Sequence, residues 1–342
     1  LLIFLCGFLF DAVTIKRIDA WTDISIQLAY LFFLTILLVF QYREHVRQWS
    51  PGKYIKKIWA YNVEALHFFY GGLLSAYVIL YFKSSSASRT LVFFLLMGAL
   101  LIINEMPQVK KLGHRLRLGL YAFCVSSFLI YFIPILFGRM GMAIFLLSVF
   151  MSAVVVWLVA GLLVKDLEHR IYLYLPAAGF FAIVLVFYYL HLIPPVPLSV
   201  QYQGIFHKVS KDQNSAYTLR YPKPPFYKFW KKNSQPFLYQ PGDPIYFFVR
   251  IFGPTRFKHK IYIRWSWLDE VENVYRDSDR IPMDIVGGRD EGFRGFVAKT
   301  KYKPGQWRVR TETDDGRVIG TTSFQIKADR KKRERQWVTR TS

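Results

Sequence analysis

The apolar residues of this chain are crowded into long runs before residue 193, and the remainder has the composition of an ordinary globular domain. One water-soluble core cannot absorb that distribution, because a run of ~20 mostly apolar residues matches the thickness of a bilayer's hydrocarbon. Charge divides along the same line. Residues 1–199 hold 16 basic and 8 acidic residues, and residues 200–342 hold 29 and 15. Two compartments are therefore expected. Residues 1–193 read as a polytopic transmembrane helical domain and 241–328 as a soluble β-sandwich. Residues 194–240 read as a linker rich in Pro, aromatics and Lys, and 329–342 as a basic tail that leaves the sandwich.

Seven stretches qualify as membrane helices: Leu1–Phe10, Ile24–Phe40, Ala65–Phe82, Thr90–Ile103, Leu118–Phe137, Met140–Val164 and Ile171–Ile193. The chain opens in mid-run, so the first reads as a span that has lost its beginning. The fourth is short. Cys6 and Cys124 both fall inside apolar runs, where cysteine acts as a small hydrophobe, and the soluble part has no disulfide framework. Loop charge sets orientation. Arg43, Arg47, Lys53, Lys56, Lys57, Lys110, Lys111, Arg115, Arg117, Lys165 and Arg170 fall in one set of connectors. Lys16, Arg17, Lys83, Arg89 and Arg139 fall in the other. The richer set is expected in the cytoplasm, with the N-terminus. The last helix then runs outward and carries the soluble part to the far side.

After Pro194, Pro195 and Pro197 comes a stretch of Pro, aromatic and Lys residues, Tyr217–Tyr239. It reads either as an irregular loop on the soluble domain or as a collar at the bilayer surface. Tyr227, Lys228, Trp230, Lys231 and Lys232 would then meet the lipid. From Asp243 the hydrophobic period becomes two. Strands are expected at Ile245–Phe252, Lys258–Leu268, Arg280–Val286, Gly292–Lys299, Gln306–Thr313 and Gly320–Lys327, with a hairpin turn at Asp314-Asp315-Gly316. In the second strand Ile261, Ile263, Trp265 and Trp267 take one face. Lys260, Tyr262, Arg264 and Ser266 take the other. About seven short strands with turns predict an antiparallel sandwich of immunoglobulin-like size.

The segment Gly287–Ile326, with Trp265 before it, resembles the bacterial family called domain of unknown function 2914. The resemblance rests on Trp265, the Gly-rich approach to Arg294, Gly305–Val309, the Asp315–Arg317 hairpin and Phe324. Gly7–Asp23 and the helices after it are similar to a multi-spanning domain often fused to that family, domain of unknown function 5924. The resemblance implies architecture and a bacterial envelope, and no activity; with the spans above, the expected place is the bacterial inner membrane.

Candidate sites are few. Asp11, Lys16, Arg17 and Asp19, between the first two helices, are expected to form an ion-pair knot on the outer face. Glu64, His67 and Glu105 could meet at the cytoplasmic ends of two helices, although end-of-helix solvation is the simpler reading. His191 and His207 read as surface or cap residues. Gly71, Gly72, Ser75 and Ala76 let helices approach closely, within this chain or with another subunit. No metal-ligand spacing, nucleophile elbow or phosphate loop occurs, so no metal, cofactor or catalytic role is expected. Lys258, Lys260, Arg264, Arg308 and Arg310 point away from the core by strand alternation. On one sheet they would make a basic patch for an acidic partner, diluted by Glu312 and Asp269. Nucleic acid is not an expected partner. The expected function is a non-enzymatic scaffold or accessory subunit of an envelope membrane complex, contacting lipids and other subunits. The alternative is a transporter, or a protein handling envelope lipid or glycan, with its site between the helices.

Overall fold

A computed structural model describes residues 11, 19–84, 91–104, 113–213, 216–224, 232–254, 258–286, 292–329 and 335–342, with backbone alone at 83, 91–94, 101, 103–104 and 258. The chain divides into two compact units with the boundary at Pro197/Leu198. The first is helical: α1 (Trp21–His45), α2 (Lys56–Trp59), α3 (Asn62–Lys83), α4 (Leu91–Asn104), α5 (His114–Phe137), α6 (Met142–Leu163) and α7 (Leu167–Tyr189). Among the described residues five helices (α1, α3, α5, α6 and α7) are long and apolar enough to cross a membrane. The expected first span lies outside the described residues. The fourth is α4, whose 14 residues reach only ~21 Å at ~1.5 Å each.

Polar side chains inside this unit register the helices against one another. Tyr131 donates to Gln27 Oε1 at 2.6 Å, Thr35 and Tyr121 share a hydroxyl bond of 2.7 Å, and Arg117 donates to Gln41 Oε1 at 2.7 Å. Residue number rises along α1 as it falls along α5, so these two helices are antiparallel. Tyr70 donates to the Arg117 carbonyl at 2.7 Å and Tyr81 to the Ser127 carbonyl at 3.0 Å, so α3 and α5 run parallel. The chain between them must therefore run back. At one end of the bundle Gln41 Nε2 donates to Asn62 Oδ1 at 2.6 Å, and Arg115 donates to the Tyr172 carbonyl at 3.0 Å. The start of α3, the start of α5 and the start of α7 thus meet the end of α1. A Cβ on Gly72 would lie within 3.2 Å of the Tyr30 ring, so this small residue serves packing inside the chain.

The second unit is built of strands: β1 (Ser199–Phe206), β2 (Lys208–Lys211), β3 (Tyr217–Pro222), β4 (Phe237–Tyr239), β5 (Ile245–Phe252), β6 (Lys258–Asp269), β7 (Val274–Val286), β8 (Phe293–Lys299), β9 (Gly305–Thr313), β10 (Val318–Ala328) and β11 (Trp337–Thr341). They form three sheets, β1-β5-β8, β4-β10-β9-β6-β7 and β11-β3-β2. Each strand expected after Asp243 is present, and Gly316 sits at φ +82° in the β9–β10 turn, a conformation that favours glycine. Pairing is antiparallel except where β4 joins β10 in parallel.

β5 is the middle layer. Phe247, Val249 and Ile251 point to the five-stranded sheet, where Phe247 meets Trp265 edge-on at 6.4 Å. Phe248 points the other way, into a cluster with Phe206, Val209, Tyr217, Leu219 and Tyr221. A strand buried on both faces reads as continuously apolar, as IYFFVRIF does. Two expectations are corrected. The 194–240 segment supplies β1 to β4 and is no linker; Pro222 ends β3 and Pro236 immediately precedes β4. The tail is not extended away, because Trp337–Thr341 pairs with β3 and completes the third sheet.

Candidate functional site

The sheet face opposite the core gathers the cations expected from alternation. Arg264 of β6 lies opposite Arg310 of β9 and opposite Arg280 of β7, and Ser266 lies opposite Arg308. Like charges directly opposed destabilise a sheet. Two acids resolve the conflict. Glu312, only 3% exposed, receives Arg264 Nε at 2.8 Å and lies 3.4 Å from Arg310 Nε. Asp277 receives Arg264 Nη1 at 2.6 Å, Ser266 Oγ at 2.8 Å and Arg310 Nη2 at 3.3 Å. Burial pushes the Asp277 carboxyl up, but the bonds from Ser266 and Arg264 and the charges of Arg264 and Arg310 outweigh it. The group is held below the ordinary carboxylate value and remains ionised at neutral pH.

A β-bulge makes this arrangement possible. Trp265 pairs with Asp279 and Ser266 with Asp277, so Ser278 is the extra residue. In a regular strand Asp277 and Asp279 would share a face. Here Asp277 turns outward to the arginines, and Asp279 turns to the buried ammonium of Lys299, which also donates to Ser278 Oγ at 2.9 Å.

The remaining outer cations lie on tyrosine rings. Arg308 stacks 3.7 Å above Tyr275 and Arg280 3.8 Å above Tyr262. Lys260 is exposed and lies opposite Asp284. The expected docking residues Lys260, Arg264, Arg308 and Arg310 therefore do share one face, while the Lys258 side chain lies outside the described residues. The sequence reading overstated how bare they are, because Arg264 and Arg310 are taken up by Asp277 and Glu312. It placed Tyr262 on this face but missed Arg280 and Tyr275, which β7 brings beside it from Val274 onward. Asp269, expected to dilute the patch, pairs instead with Arg276 at 2.8 Å, near the β6–β7 turn.

Other expected sites are only partly in view. Tyr227, Lys228, Trp230 and Lys231 lie outside the described residues, and Lys232 is exposed. Lys16 and Arg17 of the knot also lie outside them. Asp11 accepts a 2.7 Å bond from Ser75 on α3, about 12 Å along the helix from its end at ~1.5 Å per residue, and so lies among the helices. Glu64 is exposed and His67 buried, so they do not share one environment; Glu105 lies outside the described residues. Among the described residues no group of three or more His, Cys, Asp or Glu side chains is placed to hold a metal.

His207 is buried, not a surface or cap residue. Its Nδ1 is 2.8 Å from Ser234 Oγ, its Nε2 3.0 Å from the Leu238 carbonyl, and its ring stacks on Phe237 at 4.1 Å. The carbonyl requires a proton on Nε2, so Nδ1 accepts from the serine. Burial is the main cause that lowers its pKa to about 4. The unfolded chain binds this proton more readily, so stability falls as pH drops from ~6.5 toward ~4, by about 3 kcal/mol at the bottom of that window. Thermal unfolding of the full chain in detergent at pH 7.5 and 5 tests this. The expected loss at the lower pH is smaller in His207→Gln, and an equal loss in both contradicts the assignment.

No curated protein matches the chain. Three solved structures illustrate the fold comparison. A β-glucosidase from Kluyveromyces marxianus, selenomethionine-labelled, is 9% identical at a TM-score of 0.19, covering 36% of this chain and 15% of that one. The same enzyme with glucose is 9% identical at 0.19, covering 46% and 17%. The Pseudomonas fluorescens alkylpurine DNA glycosylase AlkC, bound to DNA containing an abasic site analog, is 9% identical at 0.21, covering 92% and 99%. This chain thus spans less than a fifth of the β-glucosidase chains, and none of these scores establishes a shared fold. What is identified is the part of the β-unit that carries the charged face: residues 258–326, from β6 into β10, match the family described as Protein of unknown function (DUF2914).

Proposed function

We propose that this chain is a non-enzymatic scaffold or accessory subunit of a membrane complex in the bacterial inner membrane, with the N-terminus in the cytoplasm and the β-unit in the periplasm. The N-terminal helices are read as the multi-spanning partner domain of the resemblance, and the two core sheets as an immunoglobulin-like sandwich. The bundle end that collects the α1–α3 connector and the starts of α5 and α7 carries most of the loop lysines and arginines, which supports a cytoplasmic placement. The observation that carries the docking role is the array of Lys260, Arg280 and Arg308 on one sheet face, two of them steadied by aromatic rings. Arg264 and Arg310 hold that array in place through Glu312 and Asp277. Such a face fits an acidic surface of a neighbouring subunit.

The transport reading has less support. Several polar groups between α1, α3 and α5 are bonded to one another, as Gln27 is to Tyr131 and Thr35 to Tyr121.

Co-purification tests the docking. The full chain carrying Lys260→Glu and Arg308→Glu is expected to lose its companions from native membranes while its near-UV circular dichroism stays unchanged. Companions retained at wild-type stoichiometry would refute the role of this face. Arg310→Glu is the wrong probe, since it would set a third carboxylate beside Glu312 and Asp277.

A further inference from the structure

The connector between α1 and α3 is a built surface. Residues 41–59 hold Arg43, Arg47, Lys53, Lys56 and Lys57 against a single acid, Glu44. That acid is engaged internally, accepting the Trp59 indole N–H at 2.6 Å. Trp59 packs on Trp49 at 4.9 Å, and Trp49 on Phe40 of α1 at 4.8 Å. Asn62 donates to the Trp59 carbonyl at 2.6 Å and accepts from Gln41. The connector is therefore pinned to both long helices it joins, at the level where they end.

From Gly52 the backbone turns helically. The amide of Lys56 bonds Gly52, that of Trp59 bonds Ile55, and that of Ala60 bonds Lys56. Tyr54, Ile58 and Tyr61 are four and three residues apart and so lie on one side, with Ile55 three before Ile58. Their exposures are 93%, 76%, 69% and 50% respectively, while Trp59 turns inward. Four large apolar side chains facing outward, interleaved with Lys53, Lys56 and Lys57, make the pattern of a helix lying in a membrane interface.

We infer that residues 53–61 are a binding surface for anionic phospholipid headgroups. Tyr54, Ile55, Ile58 and Tyr61 enter the acyl boundary, and Lys53, Lys56 and Lys57 meet the phosphates. The charge is complementary, and the surface is continuous with helices long enough to span. This rests on the membrane reading above. Each lysine near an anionic surface strengthens attraction about fivefold.

The test uses the full chain in nanodiscs, with Cys6→Ser and a fluorophore on Ile58→Cys; Cys124 is fully buried. Brominated phosphatidylglycerol is expected to quench the label more strongly than brominated phosphatidylcholine at the same fraction. Lys53→Gln, Lys56→Gln and Lys57→Gln together are expected to remove the difference. Equal quenching by both lipids in the unsubstituted connector, or by neither, overturns the inference, the latter assigning the surface to a protein partner or to water. A label at Phe150→Cys, 63% exposed on α6, separates the two readings. If that position is quenched by both lipids while residue 58 is not, only this inference fails. If neither is quenched, the membrane reading fails with it.

Discussion

Trp265→Ala is expected to remove about 3–5 kcal/mol from the β-unit. The indole is fully buried and meets Phe247 and Phe324 edge-on, at 6.4 and 6.3 Å, where the two core sheets join. Lys299 Nζ lies 5.9 Å from its ring, so the truncation also removes an aromatic face from a buried ammonium. A domain's total stability is only about 5–15 kcal/mol, so the variant should be close to unfolding at physiological temperature. Denaturant unfolding of the full chain, followed by near-UV circular dichroism, measures this. A loss below about 1 kcal/mol would place the core elsewhere.

The second large effect comes from the charge lattice. Arg264→Leu leaves Glu312, 3% exposed, with only the longer contact to Arg310. Breaking a buried pair from one side costs about 3–5 kcal/mol, and Arg264's own partial exposure reduces that to about 2–3 kcal/mol. Adding Glu312→Leu should recover much of the loss, because the uncompensated carboxylate is then gone. A double-mutant cycle reads the coupling. Additive losses would mean that the two side chains do not support each other.

How far the sequence revealed this fold depends on the range of the interactions involved. Alternation in β6 identified Ile261, Ile263 and Trp265 as core, and all three are fully buried. It could not show the extra residue at Ser278, because a bulge has no signature in a polar edge strand. The sequence therefore revealed the cations and Glu312, but not Asp277, which the bulge turns toward them. Edge strand β7 is charged through its first half and contains Pro282, which discourages further pairing but also hides its length. The third sheet was illegible for another reason. β3 and β11 are more than a hundred residues apart, and each is too short and too near prolines or charges to read as a strand alone. In the helical unit the apolar runs were plain, but the cross-links from Gln27, Thr35 and Gln41 depend on which helices become neighbours. His207 looked like a surface residue because its partners, Ser234, Leu238 and Phe237, come from the segment read as a linker.

We propose that this chain works by holding another membrane subunit through charge. Purifying the wild-type protein from its native membrane in mild detergent, and identifying its companions by mass spectrometry as salt is raised, tests that most directly. The expected result is a stoichiometric companion with an acidic extracytoplasmic surface, released as screening shortens the reach of the exposed cations. A protein that elutes alone or as a homo-oligomer at every salt concentration would contradict it.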